Sequence, residues 1–337
     1  MSPFFHESVL VIRPGALGDA VLTLPVLQAL RSAGARQTIV LGIPGHWRWL
    51  RAAGNDVTIA DWNGPEWMGL SSLDVPLADS ALRTLRSVEG ALIFLRSGVR
   101  EAAQALRGAG VAEILAGSPP AWPEAPGEAD DGRHAADRLL DPLRERLGSA
   151  WCASFSTGGT AADLDERREP FLAVAEEERE AALRRLGIPA PPSAGFFAVH
   201  PGSGGRSKCW PAERYVELLR RAARSLPSKP LLFVGPAEEE TLAPLLRDLP
   251  DGVLLARSFP LREVLALLTM ARVFAGNDAG VTHLAARCCP TLQLFGHTRP
   301  SRWKALGPRV TALQAPDGLL ERLEVEKVWQ AILATCP

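Results

Sequence analysis

Apolar residues along this chain alternate between two rhythms. Residues 9–12 (VLVI) form a short run rich in β-branched side chains, residues 20–30 repeat apolar positions at helical spacing, and residues 38–41 return to a strand-like run. That order predicts a β-α-β opening and therefore a parallel sheet. The rhythm continues with a helix from about His46, a strand at 57–60, a helix at 82–88, a strand at 91–95, a helix at 98–107, a strand at 111–115 and a helix at 135–147. Residues 61–79, with Trp62, Gly64, Pro65, Trp67 and Gly69, show no clear period and read as a loop over the open end of the sheet.

The second half repeats the pattern. Helices are expected at 175–186, 211–225, 238–245, 261–270, 280–287 and 320–333, and strands at 196–200, 231–234, 253–255, 273–275 and 291–295. Residues 148–170 carry Ser, Thr, Gly and a charge cluster without sustained periodicity, so the interdomain connection is placed there. The expectation is two successive α/β domains, 1–165 and 166–337, with the closing helix an element that can return to the first domain.

Composition changes this picture little. A chain of 337 residues with 47% hydrophobic and 22% charged residues is long enough for two ordinary cores. The net charge of -1 offers no global attraction to nucleic acid or anionic lipid, so a basic surface for any partner must be local. Five cysteines, without a CxxC pair or matching histidine spacing, read as reduced thiols and not as a disulfide framework or zinc site. The opening MSPFFHES has neither the basic start nor the apolar core of a signal peptide, and no run reaches the roughly 18 apolar residues of a membrane span. The expected location is the cytoplasm.

Candidate chemistry collects at two junctions in the second half, AVHPGSGGRSKCW at 198–210 and AGNDAGVTHL at 275–284. Each passes from an apolar run through small and hydroxyl residues towards a helix, where unpartnered backbone N–H groups and the positive end of the helix dipole favour an anion. Lys208 belongs to the first junction, Asp278 and His283 to the second, so a phosphorylated ligand is expected. The turn GALGD near the start contains Gly15, Gly18 and Asp19 but is not GxGxxG, and no acidic residue closes the following strand. A dinucleotide-dependent redox enzyme is therefore disfavoured. Gly15 and Gly18 suit a tight turn and close ligand approach, while Asp19 fits two roles, a carboxylate complementing the helix dipole or a catalytic base.

Three motifs in order, RPGALGDAVLTLP at 13–25, HPGSGGRSKCWP at 200–211 and GNDAGVTHL at 276–284, resemble glycosyltransferase family 9, the ADP-heptose:lipopolysaccharide heptosyltransferases. The resemblance covers nearly the whole chain. It implies a GT-B fold, two Rossmann-like domains with parallel sheets facing across a cleft, the first on the acceptor side and the second holding the nucleotide sugar. It also implies inversion at the anomeric carbon, no essential metal and no cofactor beyond an ADP-sugar donor. The implied partners are that donor and a lipopolysaccharide-core or other glycolipid acceptor, met at the inner face of the cytoplasmic membrane, with no nucleic acid.

Residue by residue, the resemblance makes Asp19 the general base and Lys208 the cation facing the leaving diphosphate. It makes Ser203 and Gly204, with Asp278, Ala279, Gly280, Val281, Thr282 and His283, contacts to phosphate and sugar, and places Glu238 near the ribose and Phe259 near the adenine. Asp278 and His283 also fit plainer roles, a helix N-cap and a packed side chain. Family members commonly carry a proline and an acid where this chain has His297 and Arg299. The literal DxD at Asp163 and Asp165 sits in a mixed-charge connection and reads as solvated linker. Trp47, Trp49, Trp62 and Trp67 fit either core or a ligand surface, and Arg83, Arg86, Arg96, Arg100 and Arg107 either a solvated face or a patch for an anionic acceptor.

Overall fold

The computed structural model describes residues 7–50, 57–72, 74–119, 131–153, 155, 172–239 and 242–336. The chain divides into two compact units, 1–159 and 160–337. The DxD at 163–165 lies outside the described residues.

The first unit is built on five parallel strands, β1 (Ser8–Ile12), β2 (Gln37–Gly42), β3 (Val57–Asp61), β4 (Gly90–Ile93) and β5 (Glu113–Ala116), in the order β3-β2-β1-β4-β5. All of β1 is buried, as a central parallel strand covered on both faces must be, and this is why its sequence is a continuous apolar run without alternation. Leu10 and Ile12 pack with Leu41, Ile93, Leu85 and Leu106 in one core. Trp47, Trp49 and Trp67 are buried, Trp47 and Trp49 being stacked with centroids 6.2 Å apart.

The second unit has six parallel strands, β6 (Phe196–His200), β7 (Lys229–Val234), β8 (Leu254–Arg257), β9 (Ala271–Asn277), β10 (Thr291–Phe295) and β11 (Val310–Gln314), in the order β11-β10-β9-β6-β7-β8. Its core joins Val199, Trp210, Tyr215, Leu232, Leu294 and Trp329.

Several elements differ from the periodicity. The helix expected at 20–30 is two, Leu17–Leu22 and Leu24–Ser32, broken at Thr23 because Pro25 has no N–H to continue the ladder and sits in the first turn of the second. Gly18 is thus inside a helix and not part of the turn. The helix expected at 135–147 breaks at Leu140, one residue ahead of the segment Asp141–Leu147 that carries Pro142 in its first turn. In place of a helix over 238–245 there is a 3-10 turn, Pro236–Glu238, and a short helix, Ala243–Arg247. The closing helix is Val325–Thr335, preceded by a separate 3-10 turn, and it packs on β9, β10, β11 and the helix Ala212–Ser225, all in its own unit. Strand β11 was not expected, because VTALQ is only partly buried at the sheet edge and carries a weak apolar signal.

Candidate active site

Ligands of open parallel sheets bind outside the carboxyl ends of the strands where the strand order reverses. In the first unit that point lies between β1 and β4, in the second between β6 and β9. The three motifs at 13–25, 200–211 and 276–284 lead off from β1, β6 and β9, the strands at these points.

In the first unit the chain leaves β1 through Arg13 and enters the helix Leu17–Leu22, which carries Asp19. Arg13 Nη2 donates to Asp19 Oδ1 at 2.6 Å, and the Ala16 N–H donates to Oδ2 at 2.9 Å. The helix-carboxylate role foreseen for Asp19 is therefore real. A carboxylate has about four acceptor positions, so these two bonds leave room for a hydroxyl donor. Gly15 makes the arrangement possible, since a Cβ there would lie 2.7 Å from both Asp19 Cγ and Oδ2. Its backbone is fastened in turn by His46 Nδ1, which donates to the Gly15 carbonyl at 2.9 Å.

This corner opens on a cleft of about 700 Å³ lined by Arg13, Asp19, Trp62, Phe94, Arg96 and Ser97, among others. The loop after β1 and the loop after β4 form its two sides, and Trp62 comes from the segment expected to cover the sheet end. Burial lowers the Arg13 pKa, Asp19 opposes that shift, and Arg96 adds to it. Of the five arginines considered as a basic patch, Arg96 is the one that lines this cleft.

In the second unit His200 of β6 is in register with Gly276 of β9, so the segments that follow start side by side. The first runs through Pro201–Gly205 into a 3-10 turn, Arg206–Lys208, and the second enters the helix Gly280–Ala286. They are stitched together. Ser203 Oγ donates to the Asp278 carbonyl at 2.7 Å, and Lys208 Nζ donates to Asp278 Oδ2 at 3.3 Å. Asp278 Oδ1 also accepts from Gln293 Nε2 at 3.3 Å and lies 3.7 Å from His283 Nε2. Burial pushes the Asp278 carboxyl up, but His283 and Lys208 outweigh it and hold the group below its ordinary value. The N-cap of the helix is Ala279, so Asp278 is not the cap; it serves as the counterion of Lys208. His283 and Thr282 are buried, while Gly280 and Val281 are partly open. Gly204 is exposed, and a side chain there would meet nothing.

Glu238 follows β7, the other neighbour of β6. Its Oε2 accepts from His200 Nε2 at 3.0 Å and from the Gly235 N–H at 3.0 Å. Burial raises its pKa, and the His200 and Gly235 donors overcome that and lower it. Phe259 lies half-buried beyond β8 with the Arg185 guanidinium 5.6 Å from its ring centroid. Ser258 donates to Glu239 Oε1 at 3.1 Å, which puts Phe259's loop beside the turn carrying Glu238.

The motif reading missed the buried residue that joins the two junctions. Asn277 Oδ1 accepts from the Trp210 N–H at 3.0 Å and from Tyr215 Oη at 2.9 Å, and its Nδ2 donates to the Pro201 carbonyl at 2.6 Å. The one signal available was its place inside GNDAG; its partners lie more than 60 residues away. Among the described residues no group of three or more His, Cys, Asp or Glu side chains is placed to hold a metal ion, and no helix is long and apolar enough to cross a membrane.

The family model described as glycosyltransferase family 9 (heptosyltransferase) matches residues 151–331. A glycosyl transferase family 9 structure from Veillonella parvula is 18% identical with a TM-score of 0.75, over 99% of this chain and 98% of that one. The E. coli heptosyltransferase WaaC with ADP is 20% identical with a TM-score of 0.63, over 98% and 100%. E. coli ADP-heptose lps heptosyltransferase II is 17% identical with a TM-score of 0.68, over 97% and 98%. These likenesses show a shared fold, the GT-B pair of parallel-sheet α/β units. No curated protein gives a significant sequence match.

Proposed function

We infer the reaction from one premise, that the chain belongs to glycosyltransferase family 9, the heptosyltransferases. It is an enzyme of glycosyl transfer. We propose that it moves a heptose from ADP-heptose to a lipopolysaccharide-core acceptor, with inversion, without a metal ion, and at the cytoplasmic face of the membrane. The observation that carries this is the Lys208–Asp278 pair at the reversal point of the second sheet, where the segments after β6 and β9 start side by side. The ADP named with the E. coli WaaC structure, and the ADP-heptose in the name of E. coli heptosyltransferase II, fit such a place.

In this mechanism the acceptor hydroxyl oxygen attacks the sugar C1, and the C1–O bond to the diphosphate breaks with its electron pair leaving on ADP. Asp19 takes the hydroxyl proton as the new bond forms. Lys208 stabilises the charge that gathers on the departing diphosphate; being fixed in advance by Asp278, it needs little reorganisation at the moment of reaction. Ser203, Gly204, Ala279, Gly280 and Val281 line the diphosphate and sugar side, Glu238 the ribose and Phe259 the adenine.

Purified protein given ADP-heptose and a heptose-free core lipid is expected to release ADP. Asp19→Ala should lower turnover by roughly 10²–10⁴-fold, the usual contribution of a positioned base, with ADP affinity nearly unchanged. Unaltered turnover in that variant removes Asp19 from the mechanism. The substitutions His297 and Arg299 favour a second reading, in which the same site takes another nucleotide sugar. Greater thermal stabilisation by UDP or GDP than by ADP would select it.

A further inference from the structure

The contact between His200 and Glu238 has no part in bond making, yet it ties the turn after β7 to the end of β6. His200 closes β6, is 4% exposed, and spends its Nε2 on Glu238 Oε2. An ionised carboxylate only accepts, so Nε2 must carry the proton. The Gly235 N–H holds the same oxygen from the other side. Oε2 is thereby saturated within the protein, and the carboxylate cannot swing about its terminal torsion without losing two bonds. Among the described residues Oε1 meets no hydrogen-bond donor, and the Glu238 side chain is 20% exposed, enough for a ligand to reach the carboxylate. Gly202 supplies the remaining condition. A Cβ there would collide with the Glu238 carboxyl, Oε1 being nearest and Oε2 2.6 Å away, so the carboxylate lies with Oε1 directly over the backbone of the loop that leads to Ser203 and Lys208.

We propose that His200 is a positioning residue that, with Gly202, turns Glu238 so that its free oxygen accepts hydrogen bonds from the ribose hydroxyls of a nucleoside diphosphate. This rests on the nucleotide-sugar reading above and extends it to His200, Gly202 and the orientation of the acid. A fixed carboxylate oxygen discriminates hydroxyl from hydrogen strongly, because a hydrogen bond to a charged group contributes about 1.5–3 kcal/mol, or about 10- to 150-fold in affinity.

The test is nucleotide binding to the full-length protein by calorimetry, with ADP and 2′-deoxy-ADP as probes. Wild type should prefer ADP by about 10-fold or more. His200→Asn, Gly202→Ala and Glu238→Gln should each bring the two affinities to within about 2-fold, mainly by weakening ADP. Gly202→Ala reaches the carboxylate without touching the histidine, so it decides the matter if His200→Asn fails to fold. A purely structural role for His200 would weaken both nucleotides alike and leave their ratio at the wild-type value, which overturns the proposal. Wild type that binds both nucleotides equally overturns the ribose contact alone. Wild type that binds neither, nor any other nucleoside diphosphate, overturns the donor assignment as well.

Discussion

At the scale of single residues, the site depends on what glycine omits as much as on what charged groups supply. Gly15 has no left-handed backbone angle to justify it; its role is to leave room for the Asp19 carboxylate. Gly15→Ala should therefore cut turnover at least 10-fold, with ADP affinity within about 2-fold of wild type, since the clash falls on Asp19, the proposed base, and not on the second unit. Equal loss of both would mean that the first unit as a whole had been disturbed. The acids of the second unit carry a pH signature. Asp278 and Glu238 both ionise below their ordinary values of 3.8 and 4.5, so their ionised forms stabilise the fold. For a lowered pKa that contribution is complete above the ordinary value and drains away as pH falls through the folded one. Urea unfolding should thus show the gap between wild type and Asp278→Asn narrowing as pH is lowered from 7 towards 3. A constant gap would mean that the Asp278 charge contributes nothing to folding.

At the scale of elements, Lys208, proposed to face the leaving diphosphate, sits on a three-residue 3-10 turn that could not hold it unaided. Order comes from Asn277, at the end of β9, which binds the loop before that turn through Pro201 and the segment after it through Trp210. Trp210 is anchored on its far side by Nε1 donating to the Leu323 carbonyl at 2.8 Å. Tyr215→Phe removes one of two donors to Asn277 Oδ1 and should cost about 1 kcal/mol. Asn277→Ala strands three buried groups and should cost about 3 kcal/mol or more. In thermal melts the two variants should fall in that order, and Asn277→Ala should also weaken ADP binding; equal melting points would show that the network is not what holds the loop. Such links are invisible to periodicity, which sees Asn277 only as a polar residue ending a strand.

At the scale of the whole molecule, two units of the same architecture carry different chemistry, an acid with its arginine in a cleft of the first and a lysine with its counterion in the second. ADP added to the full chain should slow amide exchange at 201–208, 235–238 and 277–283, the three segments built around the second reversal point. Absence of protection there would take the donor away from this unit. The apolar runs of the sequence determined that both halves are parallel α/β sheets, because a strand covered on two faces must be apolar throughout, and this is a local property. The glycine, hydroxyl and charged residues just beyond those runs were legible for the same reason, as was the pairing of each motif with a strand end. Edge strand β11 and the breaks at Thr23 and Leu140 were not, since weak burial or one proline's missing donor changes the outcome. Only the tertiary structure decided that β9 returns to the far side of β6, and with it that Lys208 meets Asp278, His200 meets Glu238 and Asn277 meets Trp210. Those pairs join residues 38 to 70 positions apart, and strand order is settled by how whole layers cover one another, which no local pattern of side chains encodes.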